Sequence, residues 1–294
     1  MPEMKRKNIW LIIILLCCCL LGLGYLLIRS LPRQDAKKVS AEKRYVVLSP
    51  EIAEIIALLE GTGNIVGITQ ECNFPSEYAA KTVVGQFGNV NREAILRLRP
   101  SLLFCSSLEQ QAVAAELAKL GVRTMVIYPH SLGEMLQAIT TIGNAIGQAQ
   151  RAKSVRDSLA EELEAVKAKR LGKFRPKVYL EIYRNPLMSV SDSSFVGQLI
   201  ELSGGDNVFD HLDRDYCRIK AEDVIRKEPD IIICYSQDSP DIISHRMGWK
   251  HLPAVVNHRI YVEKDINPDW LLRAGPRCVS GLKRLQGLYA ANGW

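Results

Sequence analysis

The chain has 294 residues and an ordinary globular composition, 47% hydrophobic and 24% charged, which is enough for one large domain or two lobes with a buried core. Its formal net charge is +6, but the segment 1–38 carries seven basic and two acidic side chains and so holds +5 of that charge. The remaining body is close to neutral and offers no electrostatic footprint for a phosphate backbone, which excludes nucleic acid as a partner.

An apolar segment near the N-terminus is the first strong feature. Residues 9–28 form a run of 20 residues without a charge, about 30 Å long as a helix, which matches the hydrocarbon thickness of a bilayer. Basic residues precede the run, as in an export signal, and no Ala-x-Ala cleavage site follows it. The segment 1–28 therefore predicts an exported body that stays attached to the membrane. An uncleaved signal anchor is preferred, and a lipoprotein modified at Cys17, Cys18 or Cys19 is the alternative.

Strand and helix patterns alternate through the body, after a polar linker at 29–43. Such alternation with short connections indicates βαβ units and parallel sheets. Short β-branched runs predict strands at 45–48, 65–68, 102–104, 124–127, 178–180, 230–234 and 259–262. Apolar residues at helical spacing predict helices at 51–60, 91–99, 108–120, 195–202, 222–226 and 276–289.

A segment without proline, 131–170, separates two such α/β halves. Its second half is rich in Ala, Glu, Lys, Arg and Leu, and it predicts one long helix or a helix pair. One phrase recurs on both sides, at 91–104 and 220–234: an acidic helix start, an apolar turn, a basic residue, a proline and a buried strand. The recurrence predicts two similarly built lobes. Their predicted bounds are 44–130 and 174–294, with a bridging helical segment at 131–173.

The body contains five cysteines without a CxxC pair, which argues against a zinc ribbon or a thioredoxin-type site. Cys105 and Cys234 lie in apolar runs and are predicted to be buried strand residues. For Cys72, Cys217 and Cys278, a disulfide and a ligand contact both stay open. The histidines have no metal-ligand spacing and are interpreted as solvated or capping residues: His130, His211, His245, His251 and His258.

Five motifs, taken in their order, resemble the extracytoplasmic binding proteins for cobalamin, haem and ferric siderophores. The motifs are Leu48-Ser49-Pro50 with Glu54, Gly67-Ile68-Thr69 with 72–75, the stretch from Gly85 to Glu93, and the segments 202–209 and 269–277. The resemblance covers about residues 44–287. It implies an α/β fold of two Rossmann-like lobes joined by a long rigid backbone helix, and a transport protein that is not an enzyme.

In that family the ligand binds in a cleft between the lobes, and the cobalamin-binding branch is the most similar. The resemblance implies a cobalt corrinoid as transported ligand, with a ferric siderophore or haem as the alternative, and no covalently bound cofactor. Aromatic faces suit a macrocycle, and polar side chains suit its edges. The predicted ligand-binding residues are Pro50, Asn73, Phe74, Phe87, Tyr183, Tyr216, Asp269, Trp270 and Arg273. For haem, Met188 and His211 are the candidate axial ligands.

Glu93 and Glu222 are the acidic residues of the repeated phrase, one in each half. In the family, such a pair forms salt bridges with arginines of the permease dimer, and two-point electrostatic docking fixes the orientation. The resemblance implies a monomer on the extracytoplasmic face of the cell membrane that works with an ABC permease dimer and its ATPase. The competing classes are a chelatase-like or nitrogenase-like enzyme and a membrane-bound receptor without an importer.

Overall fold

The computed structural model describes residues 42–169 and 174–294. Within these ranges, no helix is both long enough and apolar enough to cross a membrane. The predicted tether at 1–28 lies outside the described residues, and so do its three cysteines.

Two parallel sheets carry the fold, which confirms the mixed α/β class predicted from the alternating pattern. In spatial order, the first sheet consists of β3 (Thr82–Val83), β2 (Ile65–Ile68), β1 (Tyr45–Val47), β6 (Leu102–Cys105) and β7 (Thr124–Val126). The second sheet consists of β11 (Asp206–Asn207), β8 (Lys177–Glu181), β13 (Ile231–Cys234) and β14 (Ile260–Val262). Every pairing within these two sheets is parallel.

Short antiparallel strands add two elements that the sequence pattern does not predict. One is the hairpin of β4 (Gly85–Gln86) and β5 (Asn89–Val90). The other is a small sheet with the order β12 (Tyr216–Arg218), β10 (Leu187–Val190) and β9 (Tyr183–Arg184). These strands are two to four residues long, which is too short to display a clear alternation of apolar and polar side chains.

Helices follow most strands and cover both sheets. In the first half of the described chain they are α1 (Pro50–Leu58), α2 (Arg92–Arg97), α3 (Ser107–Lys119), α4 (Leu132–Ile146) and α5 (Ala149–Ala168). In the second half they are α6 (Phe195–Leu202), α7 (Ala221–Lys227), α8 (Pro240–Ser244), α9 (Pro253–Val256), α10 (Pro268–Leu272) and α11 (Cys278–Ala291). Short 3-10 turns lie at Thr62–Asn64, Ser76–Ala80 and Trp249–His251.

The bridging segment is a pair of helices, one of the two arrangements that the sequence pattern predicts, and its second member, α5, is a long helix of 20 residues. Helix α4 ends at Gly147, whose φ of 78° is left-handed and terminates the helix. The chain then reverses, and α5 packs closely on α4. A Cβ atom at Gly143 would lie 2.2 Å from the Cβ atom of Ala152, so the crossing of α4 and α5 requires glycine there. The 20 residues of α5 extend over about 30 Å.

One hydrophobic core is shared by both sheets. Val47 and Phe104 of the first sheet and Leu180 and Ile233 of the second belong to the same buried cluster. Because successive strand residues point to opposite faces, their neighbours enter other clusters. The outer cluster of the first sheet includes Val46, Leu103 and Leu117. The outer cluster of the second includes Tyr179, Ile232 and Trp249. Residues Lys43–Trp294 thus form one compact unit, with both faces of each sheet buried.

Candidate functional site

A cleft of about 420 Å³ lies where loops from the two halves of the chain meet. This volume is in the range of about 300–1,000 Å³ that small-molecule sites occupy. Its wall from the first half consists of Pro50, Glu51, Phe87, Ser106, Tyr128, Pro129 and His130. Its wall from the second half consists of Phe195, Asp215, Tyr216, Leu272, Arg273 and Ala274.

The first wall is built by the carboxyl ends of three parallel strands. Pro50 follows β1, Ser106 follows β6, and the stretch 128–130 follows β7. Parallel strands end at the same edge of a sheet, so their outgoing loops converge there, and this edge is where ligands bind in open α/β sheets. The topology of the first sheet therefore places these residues beside one another.

A buried amide connects two of these loops with the β4–β5 hairpin. The side chain of Gln110 is 1% exposed, and its Nε2 donates to the carbonyl oxygens of Leu48, at 2.9 Å, and Phe87, at 3.0 Å. Its Oε1 accepts from the backbone N–H of Ser106 at 2.8 Å. The N–H of Phe87 donates to Oε2 of Glu71 at 2.9 Å, which holds the hairpin from its other side. Gln110 therefore fixes the relative position of the loops after β1 and β6 and of the β4–β5 hairpin.

Four aromatic residues line the cleft, two from each wall: Phe87, Tyr128, Phe195 and Tyr216. Burial raises the pKa of the Tyr216 hydroxyl, and the nearby groups of Tyr128, Asp215 and Glu51 raise it further. The hydroxyl therefore stays protonated and can donate a hydrogen bond. The arrangement offers flat apolar faces with a few polar groups among them, which suits a large ring with polar substituents.

A polar contact connects the two walls of the cleft at His130. Its Nδ1 lies 3.3 Å from Oδ2 of Asp215, which joins the loop after β7 to the loop before β12. Asp215 also accepts from Oγ of Ser193 at 3.0 Å, and the His130 carbonyl accepts from Nε2 of Gln198 at 2.9 Å. The ring of His130 packs edge-on against that of Tyr128, with centroids 4.6 Å apart. His130 is exposed, in agreement with the expectation of a solvated residue, and it also links the two walls.

A buried ion cluster supports the cleft on the side of Arg273. The carboxylate of Glu54 is 3% exposed and accepts from Arg273 at 3.1 Å and from Arg277 at 2.6 Å. Asp269 pairs with the same two guanidinium groups, at 2.9 and 3.3 Å. Arg273 also donates to Oδ1 of Asn73 at 3.1 Å. The cluster joins α1 to the segment that precedes α11, and it engages the guanidinium of Arg273 on several sides.

The structure brings four of the nine predicted ligand-binding residues into the cleft wall: Pro50, Phe87, Tyr216 and Arg273. Asn73 and Asp269 lie in the adjacent ion cluster and contact Arg273. Phe74 is 45% exposed and stacks under the guanidinium of Arg277, which lies 4.3 Å from its ring centroid.

The other two predicted aromatics do not belong to the cleft wall. Trp270 is half-buried on α10, where its carbonyl oxygen would lie 2.7 Å from a Cβ atom at Gly281 of α11. Tyr183 is 55% exposed in β9 and pairs with Met188 of β10. Neither Met188 nor His211, the candidate axial ligands, lines the cleft.

Sequence reasoning missed most of the second wall, Glu51 of the first wall, and Gln110, which holds the loops of the first wall together. The stretch 128–130 follows a predicted strand, so the rule of strand ends could have identified it. Glu51 also follows a predicted strand and could have been found in the same way. Gln110 carried no usable signal, because a single glutamine in a helical pattern is ordinary.

Glu93 and Glu222 both lie exposed in the first turn of a helix, α2 and α7 respectively. Their neighbours form ion pairs: Arg92 with Glu116, and Asp223 with Arg226. Within 42–169 and 174–294, neither Glu93 nor Glu222 has an ion-pair partner. The two carboxylates are therefore accessible to a partner protein.

The five cysteines of the described chain are free thiols. Cys105 and Cys234 end buried strands, as predicted. Burial raises the pKa of Cys72 to about 11 and that of Cys278 to about 12, while Cys217 is half-exposed. No group of three or more His, Cys, Asp or Glu side chains among the described residues is arranged to hold a metal ion.

Known proteins resemble this chain over most of its length. An uncharacterized ABC transporter substrate-binding lipoprotein of Bacillus subtilis, YvrC, is 26% identical over 260 residues, which cover 86% of this chain and 81% of that protein. The vitamin B12-binding protein of Salmonella typhi is 26% identical over 251 residues, which cover 83% of this chain and 89% of that protein.

The fold is also found among solved structures. The periplasmic haem-binding protein RhuT of Roseiflexus sp. RS-1, in its apo form, superposes with a TM-score of 0.76 at 23% identity, covering 85% of this chain and 98% of RhuT. At this identity the likeness concerns the fold alone. The pattern of the periplasmic binding protein family matches residues 46–266, three quarters of the chain. Two parallel sheets with a ligand-sized cleft at their loops agree with that match, and the chain belongs to the periplasmic binding protein family.

Proposed function

We propose that this protein is the extracytoplasmic substrate-binding component of an ABC importer and captures a cobalt corrinoid in the cleft. The observation that carries the proposal is the set of four aromatic rings, two on each wall. Such walls can cover both faces of a flat macrocycle, and the polar groups between them can meet its amide edges. The likeness to a vitamin B12-binding protein supports the same ligand.

Calorimetric titration of the purified chain with cyanocobalamin tests the ligand. We expect sub-micromolar binding. At a ligand concentration about 100 times the dissociation constant, we expect the free energy of unfolding to rise by about 2.7 kcal/mol. Tight binding of haem or of a ferric siderophore, without binding of cyanocobalamin, would contradict the corrinoid and keep the importer role.

Haem is the second candidate, because Tyr128 and His130 lie on the cleft wall and both residue types can ligate haem iron. Absorbance spectra of the haemin-titrated protein distinguish the candidates, since axial ligation shifts the Soret band. If Tyr128 is the ligand, Tyr128→Phe should remove that shift; if His130 is the ligand, His130→Ala should remove it.

An enzyme of the chelatase or nitrogenase type is the alternative of another class. Release of a chemically altered chelate after incubation, detected by mass spectrometry, would favour that enzyme.

Docking on the permease is proposed to use Glu93 and Glu222, one carboxylate from each half. Both are exposed and without an ion pair among the described residues, so arginines of a permease dimer could reach them. We expect Glu93→Arg with Glu222→Arg to abolish uptake in cells that contain the importer and to leave ligand binding unchanged. Glu77→Arg, an exposed site on the Ser76–Ala80 turn, is the matched control. A loss of ligand binding in the double variant would contradict a docking role.

Attachment to the membrane through 1–28 belongs to the same proposal. An export signal that is not removed would keep the cleft near the permease, where a monomer could be recaptured quickly after each release. Incorporation of labelled palmitate would identify lipid modification at Cys17, Cys18 or Cys19. Membrane association without palmitate would identify the uncleaved anchor, and a protein released into the medium would contradict both.

A further inference from the structure

Glu51 is a buried carboxylate on the cleft wall that has no partner. The residue is 8% exposed and follows Pro50 in the first turn of α1. Within the described ranges 42–169 and 174–294, its side chain forms no hydrogen bond and no ion pair. A Cβ atom at Gly275 would lie 3.4 Å from the Glu51 Cβ atom, so the protein closes this wall from behind. Glu51 itself lines the cleft, where a ligand can reach it.

The other charged side chains of the cleft wall already have partners. Arg273 is paired with Glu54 and Asp269. Asp215 is in contact with His130. Glu51, in contrast, forms no ion pair with any described neighbour. Glu51 acts on the hydroxyl of Tyr216. Burial is the largest cause that raises the pKa of this hydroxyl, and Glu51 raises it further.

An unpaired buried carboxylate is unfavourable unless something else supplies a hydrogen bond or a positive charge. A ligand in the cleft can supply it. We propose that Glu51 selects the ligand by the charge of its edge: it accepts hydrogen bonds from a chelate with amide N–H groups or a cationic substituent, and it excludes one with carboxylates at that edge. The inference rests on the proposed function, because it assigns a selecting residue to the same cleft.

The alternative is that Glu51 only stabilises α1, without contacting the ligand. An acidic residue in the first turn of a helix stabilises it through the helix dipole. That role would make Glu51 matter for stability and leave the preference among ligands untouched. Ligand preference is therefore the readout that separates the two roles.

The test compares two corrinoids that differ by one charge. Cyanocobalamin carries amides at its periphery, and its separated monocarboxylates, made by mild acid hydrolysis, replace one amide with a carboxylate. Titrations use the full chain, purified in mild detergent, and its variants Glu51→Gln and Glu51→Ala, with folding checked by circular dichroism. Glu77→Gln removes the same charge outside the cleft and is the matched control.

We expect the unchanged protein to bind at least one monocarboxylate about tenfold more weakly than cyanocobalamin, which corresponds to about 1.4 kcal/mol. Both Glu51 variants should lose that preference, and Glu77→Gln should keep it. An undiminished preference in both Glu51 variants, or none in the unchanged protein, overturns the selecting role while the corrinoid function stands. If cyanocobalamin does not bind and haemin, with its carboxylates, binds equally to the unchanged protein and both Glu51 variants, the corrinoid function and the selecting role both fall.

Discussion

Gln110 is the residue whose loss should disturb the cleft most without touching its surface. Its side chain satisfies the N–H of Ser106 and the carbonyl groups of Leu48 and Phe87. Gln110→Ala leaves buried donors and acceptors without partners, and each such group costs about 1–3 kcal/mol. We expect the free energy of unfolding to fall by at least about 1–3 kcal/mol, which is the cost of one unpaired group. We also expect ligand binding to weaken.

Urea denaturation and calorimetric titration measure the two effects of that change. Gln111→Ala is the control, because Gln111 is its exposed neighbour on the same helix. Equal stability of the two variants would show that water replaces the amide of Gln110 at no cost.

Cysteine reactivity gives a second prediction at this scale. Burial raises the pKa of Cys72 and Cys234 to about 11 and that of Cys105 and Cys278 to about 12, so little thiolate is present in any of them at neutral pH. Cys217 is half-exposed. We expect iodoacetamide at pH 7.5 to label Cys217 well before these four, as quantified by peptide mass spectrometry. Early labelling of Cys105 would contradict the buried first sheet.

Some residues of the cleft wall can be named from the sequence through the resemblance to the binding-protein family. Pro50 and Phe87 were expected at the ligand, and both line the cleft. Tyr183, also expected at the ligand, lies exposed in a short hairpin, because a sequence pattern does not tell which side of a sheet a residue faces. Gln110 could not be predicted, since its importance arises from loops that are distant in sequence.

At the scale of elements, the close crossing of α4 and α5 can be tested by one methyl group. Gly143→Ala places a Cβ atom 2.2 Å from that of Ala152, so the helices must separate. We expect a loss of about 1–3 kcal/mol in the free energy of unfolding, as is typical of overpacking. In Gly133→Ala the added methyl meets only the Ser131 hydroxyl, at 3.9 Å, and a gain of about 0.5–1 kcal/mol is expected from the better helix former.

Thermal denaturation of the two glycine variants gives the comparison directly. Opposite shifts of the melting temperature agree with the crossing, and a stabilised Gly143→Ala would contradict it. The pairing of these helices also shows the limit of the sequence pattern. Apolar spacing in 131–170 predicts one long helix or a helix pair and does not decide between them, because the break at Gly147 depends on a left-handed backbone that spacing does not report.

At the scale of the whole molecule, the common core predicts that the two halves unfold together. Val47 of the first sheet and Leu180 of the second lie in one buried cluster, so exposing one half uncovers apolar surface of the other. We expect a single calorimetric transition whose calorimetric and van't Hoff enthalpies agree. Two separate transitions would mean that each half holds a core of its own, as the predicted division at 131–173 would allow.

The ion cluster at Glu54 also constrains how the chain matures. Glu54 and Arg277 are 223 residues apart in the sequence, so a chain that emerges from its N-terminus holds the carboxylate long before its guanidinium partners exist. Leaving one member of a buried pair alone costs about 3–5 kcal/mol. The first helix can settle into its final environment only when synthesis has nearly finished. In a chain that stops before residue 273, the region around Glu54 would lack its partners, and we expect it to unfold locally and to be cut by proteases. The ion cluster therefore favours the complete chain over truncated ones.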